Sequence, residues 1–270
     1  MKKVYTTKKN IIYKRKQLCI KNFLTLIKCR LKLLDGVFKV TRLHANPKCA
    51  FTFAEVLITL GIIGVVAAMT LPTITANANK KQVISQVKKN FSILNQGLRL
   101  SEVENGEYKY WNSGLSMGAK EYFEKYYKPY FKGIRECTSY SDCGYSKQYP
   151  WIRANGGLWE YAVMRQNLRQ PYVLADGTIL IFSTGSGTSE ENVFMSNNYI
   201  YFDINGPKKP NQLGKDVFIF IRTSDKGIQP DCYNMDENSI DNNCSATGAG
   251  TCCAAKLIKD GWEFKNNYPY

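Results

Sequence analysis

Three groups of residues carry the chemistry this sequence can do. The first is a lone carboxylate: from Phe51 to Leu71 the chain is apolar and holds one charge, Glu55. A charge near the middle of a membrane helix costs about 2.5–3.5 kcal/mol on insertion scales, so an acid there implies a partner. The second group is Asp203, Asn205 and Asp216, hard oxygen donors in the segment Asp-Ile-Asn-Gly-Pro-Lys-Lys-Pro-Asn-Gln-Leu-Gly-Lys-Asp. No cofactor is predicted; the spacing could fold around Ca2+, which takes about six to eight oxygen ligands, but Asp, Asn, Gly and Pro build turns here with no metal. The third is cysteine. Cys19, Cys29 and Cys49 precede the apolar run, and Cys137, Cys143, Cys232, Cys244, Cys252 and Cys253 follow it. An even number beyond a membrane span favours disulfides. Cys137 and Cys143 close a short loop. The other four allow three pairings, and the favoured ones join Cys232 and Cys244 each to one member of the Cys252-Cys253 step.

Catalytic chemistry is poorly supplied. The one histidine, His44, lies upstream of the apolar run, so the rest of the chain holds no Ser-His-Asp or Cys-His nucleophile pair and no His-based zinc site. Asp176 and Asp203 form a formal carboxylate pair, but Asp176 sits in an Ala-Asp-Gly turn and has an ordinary structural explanation. Ser183–Ser189 lacks the G-x-x-x-x-G-K pattern and a following helix signal, and reads as a loop. The expectation is a protein that is not an enzyme.

Charge is unevenly distributed. The formal +15 comes from 37 basic and 22 acidic residues, and residues 1–50 alone hold 14 basic residues and one acid. The remainder carries 23 basic and 21 acidic residues, a net +2, so no footprint for duplex DNA is visible there and no nucleic-acid partner is predicted. The basic flank keeps residues 1–50 cytoplasmic and sends the chain beyond Leu71 outward, N-in and C-out. The 21 residues from Phe51 to Leu71 make roughly 31 Å of helix, close to the hydrocarbon thickness of a bilayer.

The run Ala50-Phe51-Thr52-Phe53-Ala54-Glu55 resembles the processing site of type IV pilins and type II secretion pseudopilins, in which a small residue precedes Phe-Thr-Leu-x-Glu and a long apolar stretch. Ala50 stands where Gly is usual and Phe53 where Leu is usual. The resemblance implies that a prepilin peptidase cuts between Ala50 and Phe51 and methylates the new amino terminus of Phe51. It implies assembly through Glu55, paired with the Phe51 amine of a neighbouring subunit, and a helix kink at Pro72. The implied partners are other copies or minor pseudopilins, the prepilin peptidase, an inner-membrane assembly platform with its ATPase, and membrane lipid. The implied location is the bacterial inner membrane, single-pass, before assembly, and a periplasmic or cell-surface filament afterwards. Leaders in this family are mostly much shorter than 50 residues, so either this leader is long or translation starts downstream.

The elements that must position these groups follow from periodicity. Val83, Ile84, Val87, Phe91, Leu94 and Leu98 recur near the 3.6-residue period, and Asn105-Gly106 is a stop signal, so the apolar helix continues as an amphipathic one. Tyr172–Leu174, the Ala-Asp-Gly turn and Thr178–Phe182 predict a hairpin. Tyr199–Phe202 and Val217–Ile221 predict two more strands, with helices around Lys120–Tyr127 and Cys252–Trp262. The fold class is α+β: a long N-terminal helix packed on a small antiparallel sheet, which the resemblance marks as pilin-like. The predicted divisions are a cleaved leader (1–50), the transmembrane half of the helix (51–72), its amphipathic half (73–106) and a disulfide-bonded globular domain (107–270).

The function this predicts is a pseudopilin-type filament subunit supporting protein secretion. Three alternatives stay open: a type IV pilin for adhesion, motility or DNA uptake; a soluble binding domain released after Ala78, since Ala76-Asn77-Ala78 resembles a signal-peptidase site; and a plain anchored protein that never polymerises.

Overall fold

The computed structural model describes residues 52–111, 114–184, 198–223, 225–265 and 268–269. Ala50, Phe51, the rest of the leader and most of the Ser183–Ser189 loop lie outside them. The chain divides into two units, Met1–Ile63 and Gly64–Tyr270.

One α-helix, α1, spans Phe53–Asn105. In the first unit its described residues are wholly helical. In the second it continues through Pro72, whose missing N–H leaves the Ala68 carbonyl without its usual donor. Thr70 and Thr75 place their hydroxyls on nearby carbonyls, Thr70 on Val66 (2.9 Å) and Thr75 on Leu71 and Pro72 (3.0 and 2.9 Å). The helix stops where expected, because Gly106 takes φ +76°, the left-handed conformation that ends helices. Val87, Asn90, Leu94, Gly97, Leu98 and Ser101 are its buried positions, spaced by three and four residues. Val83, Ile84 and Phe91 flank them, partly buried. Gly97 allows close approach: a Cβ there would meet the Phe131 ring at 3.4 Å.

That face packs on a six-stranded sheet whose strands lie in sequence order, each antiparallel to the next. They are β1 (Arg135–Glu136), β2 (Arg169–Val173), β3 (Ile179–Ser183), β4 (Tyr199–Asp203), β5 (Val217–Thr223) and β6 (Gly227–Pro230). Side chains alternate across it. Leu180, Phe182, Ile200, Phe202, Phe218 and Phe220 join the α1 residues in one core, together with Tyr122, Phe123, Tyr126 and Tyr127 of α2 (Gly114–Tyr126) and its C-terminal flank. Ile179, Ile181, Tyr201, Val217 and Ile219 face the other way, onto Trp151, Val163, Leu213 and the Cys137–Cys143 bridge. With both faces covered, β3 is buried at every residue, and a fully buried side chain of this size contributes about 1.5–3 kcal/mol.

The sequence-predicted hairpin pairs as β2 with β3, Tyr172 opposite Leu180. Ahead of β2 the chain forms β1, and the helix expected around Lys120–Tyr127 begins earlier, at Gly114, with a break at Gly118 (φ 78°, ψ 164°). Toward the C-terminus lie the α-helices α3 (Glu237–Asn243) and α4 (Cys253–Lys259). α3 is capped by Asp236, whose carboxylate accepts from Ser239 N (2.9 Å). Disulfides join Cys137 to Cys143, Cys232 to Cys252 and Cys244 to Cys253.

Candidate functional site

Glu55 stands in the first turn of α1 and makes a reciprocal cap with Thr52. The Glu55 carboxylate accepts from Thr52 N (2.9 Å) and Thr52 Oγ1 (3.0 Å), while Glu55 N donates to Thr52 Oγ1 (3.3 Å). This is the Thr-x-x-Glu capping box, in which an N-cap hydroxyl and an acid three residues on satisfy each other's orphan groups. The signal was present in Thr52-Phe-Ala-Glu55 and is independent of any neighbour. Beyond it the helix offers apolar side chains on every side: Phe53, Leu57, Ile58, Leu60, Ile62, Ile63, Val65, Val66, Met69, Leu71 and Ile74 are all more than half exposed. It is long and apolar enough to cross a membrane, with a mean hydropathy of 2.2 over its most apolar window. A helix hydrophobic all round requires lipid or other helices around it.

The second candidate lies where β4 ends and β5 begins. Asp203 closes β4 and Asp216 precedes β5; the backbone just past Asp203 is tied to Asp216, with Ile204 N donating to Asp216 O (2.9 Å). Both side chains are buried. Asp203 Oδ2 accepts from Tyr145 OH (2.6 Å) and Trp151 Nε1 (3.1 Å). Asp216 accepts from Gln212 N (2.5 Å), Asn211 N (2.9 Å) and Asn205 Nδ2 (3.0 Å), which winds the Asn205–Asp216 loop around its carboxylate. No ion pair among the described residues reaches either acid. Burial pushes the Asp203 carboxyl well above the usual carboxylate range against the pull of the Tyr145 hydroxyl, and the nearby Asp216 charge pushes it further. Burial raises Asp216 as well, against three N–H donors.

The structure therefore brings together the three oxygen-donor residues picked out in the sequence, and gives them protein partners that the sequence did not suggest. Tyr145 and Trp151 are 58 and 52 residues from Asp203, and no local pattern links them. Fit to a cation rests on what remains. Asp203 Oδ1 and Asn205 Oδ1 are buried and have no hydrogen-bond partner. With its Nδ2 turned inward, the Asn211 amide donates to Gly206 O (3.2 Å), Asp203 Oδ2 (3.2 Å) and Lys208 O (3.0 Å). Turned about, it puts its own oxygen among theirs. A set of carboxylate, amide and carbonyl oxygens is the donor chemistry of a hard cation. No group of three or more His, Cys, Asp or Glu residues placed to hold a metal occurs among the described residues.

Fold and sites together define an α+β protein in which a disulfide-bonded meander sheet is built against a helix that begins with a span-length apolar stretch. Residues 73–270 match a family of unknown function, DUF6613, and the chain belongs to that family. No curated protein and no solved structure matches it.

Proposed function

We propose that the chain is a pilin-like filament subunit, of the pseudopilin type that supports protein secretion, matured between Ala50 and Phe51 and assembled through α1. The observation that carries this reading is Glu55: one carboxylate at the start of an exposed apolar helix, preceded by the small-Phe-Thr-x-x-Glu pattern. Cleavage would create a positive amine on Phe51, four residues from that acid. In a bundle of such helices the amine of one subunit and the acid of the next remove each other's desolvation cost, which fixes how far each subunit slides. No catalytic role is assigned. Mass spectrometry of the protein from its host membrane tests the reading: the expected product starts at N-methyl-Phe51 and lacks residues 1–50. A product starting at Asn79 would favour the released binding domain, which keeps every buried position of α1 from Val87 to Ser101. An intact leader would favour a plain anchor.

A second reading concerns the Asp203 loop, favoured by the orphaned oxygens of Asp203 and Asn205. Asp203, Asn205 and Asn211, with the carbonyls of Gly206 and Lys208, would hold Ca2+, which would supply positive charge to two buried acids and lock the loop. The sign of the linkage follows from the raised pKa values. A carboxyl whose folded pKa lies above its unfolded value contributes stability below about pH 4, and loses it as pH rises through the folded value. Asp231, pushed up to about 6 by burial, adds to the same slope. The metal-free protein is therefore expected to lose stability as pH rises from about 4 to beyond 6, and Ca2+ to restore it more strongly at neutral than at acid pH. Thermal unfolding with calcium or with chelator at each pH measures this. Superimposable melts with and without Ca2+ at neutral pH would sink the calcium reading.

A further inference from the structure

The turn of α4 that follows the Cys252-Cys253 step carries a lysine with almost no surface. Lys256 is 3% exposed, and its neighbours Ala254, Ala255 and Leu257 are buried with it. A buried ammonium is costly unless it is paired. Its Nζ is in direct contact with Asp241 Oδ1 of α3 and lies 3.8 Å from Oδ2 of Asp260, the residue that caps α4. Asp260 is itself held from two sides. Its backbone N donates to Lys256 O (2.9 Å), and its Oδ1 pairs with Lys265 Nζ (2.8 Å).

The lysine and Asp241 are held in register by a covalent bond. Cys244 lies one helical turn beyond Asp241, and Cys253 one turn ahead of Lys256, so the Cys244–Cys253 bridge and the Asp241–Lys256 contact are successive rungs between the same two helices. Cys252, next to Cys253, is tied in turn to Cys232. Well-oriented intramolecular pairs reach effective concentrations of about 10⁵–10⁸ M, which favours condensations that free amines and carboxylates do not undergo in water.

We propose that Lys256 and Asp241 condense to a side-chain amide, a modification that staples α3 to α4. Nζ passes one proton to Asp241, leaving an amine and a carboxylic acid in contact. The nitrogen lone pair attacks Cγ of Asp241 and forms the C–N bond. Asp260 takes a second proton from the nitrogen and delivers it to the departing hydroxyl, which leaves as water when the C–O bond breaks. One ammonium and one carboxylate become one amide and one water, Asp260 ends as the carboxylate it was, and no oxidant or cofactor enters. Without the Cys244–Cys253 bridge the two groups lose their register and stay an ion pair. The site lies in the second unit and does not depend on the filament reading, so either can fail alone.

The test is tryptic mapping of the full chain, purified folded in detergent, then denatured, reduced and alkylated. No Lys or Arg lies between Gly227 and Lys256, so both reacting residues fall within one tryptic peptide. Acylation hides Lys256 from trypsin, so the expected product is Gly227–Lys259, lighter than its sequence requires by one water, about 18 Da. Asp241→Ala should restore both full mass and cleavage after Lys256. Lys256→Arg, which keeps the charge but not the nucleophile, should restore full mass. Asp260→Asn, followed by mass from the time of synthesis, should slow closure about 100-fold; an unchanged rate would overturn its part in the step. The wild-type peptide decides even where a variant fails to fold. Gly227–Lys256 recovered at full mass from the folded wild-type chain would overturn the proposal. So would a peptide that has lost water yet is still cut after Lys256, since that is a dehydrated aspartate and not a cross-link.

Discussion

Glu55→Gln is expected to abolish filament formation as completely as Glu55→Ala, while both variants remain inserted in the membrane. The pair of substitutions separates the capping role that the structure shows from the assembly role proposed above. As the third residue of the capping box, Glu55 accepts from Thr52 N and Oγ1, and Gln serves that position almost as well, since the box reads Glu or Gln. If capping were its whole task, Gln would behave as wild type and Ala would cost about 1 kcal/mol of local helix stability. Pairing with the Phe51 amine of a neighbour needs the charge itself. A charge-assisted hydrogen bond is worth about 1.5–3 kcal/mol, so its loss weakens each subunit addition about tenfold or more, and a polymer repeats that loss at every step. Sheared-filament yield and electron microscopy read assembly, alkaline extraction reads insertion, and the mass of the mature chain shows whether cleavage still occurs. Wild-type filaments from Glu55→Gln would reduce Glu55 to a cap and remove the main support for the assembly reading.

Features whose cause is local were legible in the sequence. The end of α1 at Asn105-Gly106 needs only a residue that tolerates positive φ. The β2–β3 hairpin needs two apolar runs flanking Ala175-Asp176-Gly177, and Gly177 takes φ +85°. The pairing of Cys232 and Cys244 with the Cys252-Cys253 step follows from few cysteines close in sequence. Features that depend on distant residues were not legible. β1 has two residues and β6 has four, ending in Pro230, which a sheet edge tolerates; neither carries enough pattern to stand out. Asp203 could be picked out as an oxygen donor, but its burial under Tyr145 and Trp151 belongs to the face of the sheet turned from α1, which no periodicity in those segments announces. Arg222 reads in sequence as one more strand arginine. Its burial, at 7% exposure, is a property of the core formed around it.

Removing the Cys244–Cys253 bridge, by Cys244→Ser with Cys253→Ser, is expected to lower the stability of the second unit by about 2–3 kcal/mol, and the melting temperature by about 5–10 °C. The loop it closes has a sequence separation of 9, and that closed by Cys232–Cys252 has 20, so constraint of the unfolded chain gives about 2.5 and 3 kcal/mol respectively. Packing argues for a loss at the upper end. Cys244 and Cys253 are both buried, and Cys253 crowds the backbone where a Cβ on Gly214 would come within 2.5 Å of its sulfur. The bridge also holds α3 against α4 around Lys256, which is 3% exposed and pairs with Asp241 of α3 and, at 3.8 Å, with Asp260. Freed of the bridge, α3 can draw Asp241 away and leave the buried lysine only Asp260, at 3.8 Å, and a buried charge met so loosely is costly. Lys256→Met should therefore soften the penalty in the double-serine background. Unfolding of the four proteins in a double-mutant cycle measures the coupling. Strict additivity would show that the bridge acts only through the unfolded chain, and peptide mapping that joined Cys244 to Cys252 would overturn the connectivity on which the argument stands.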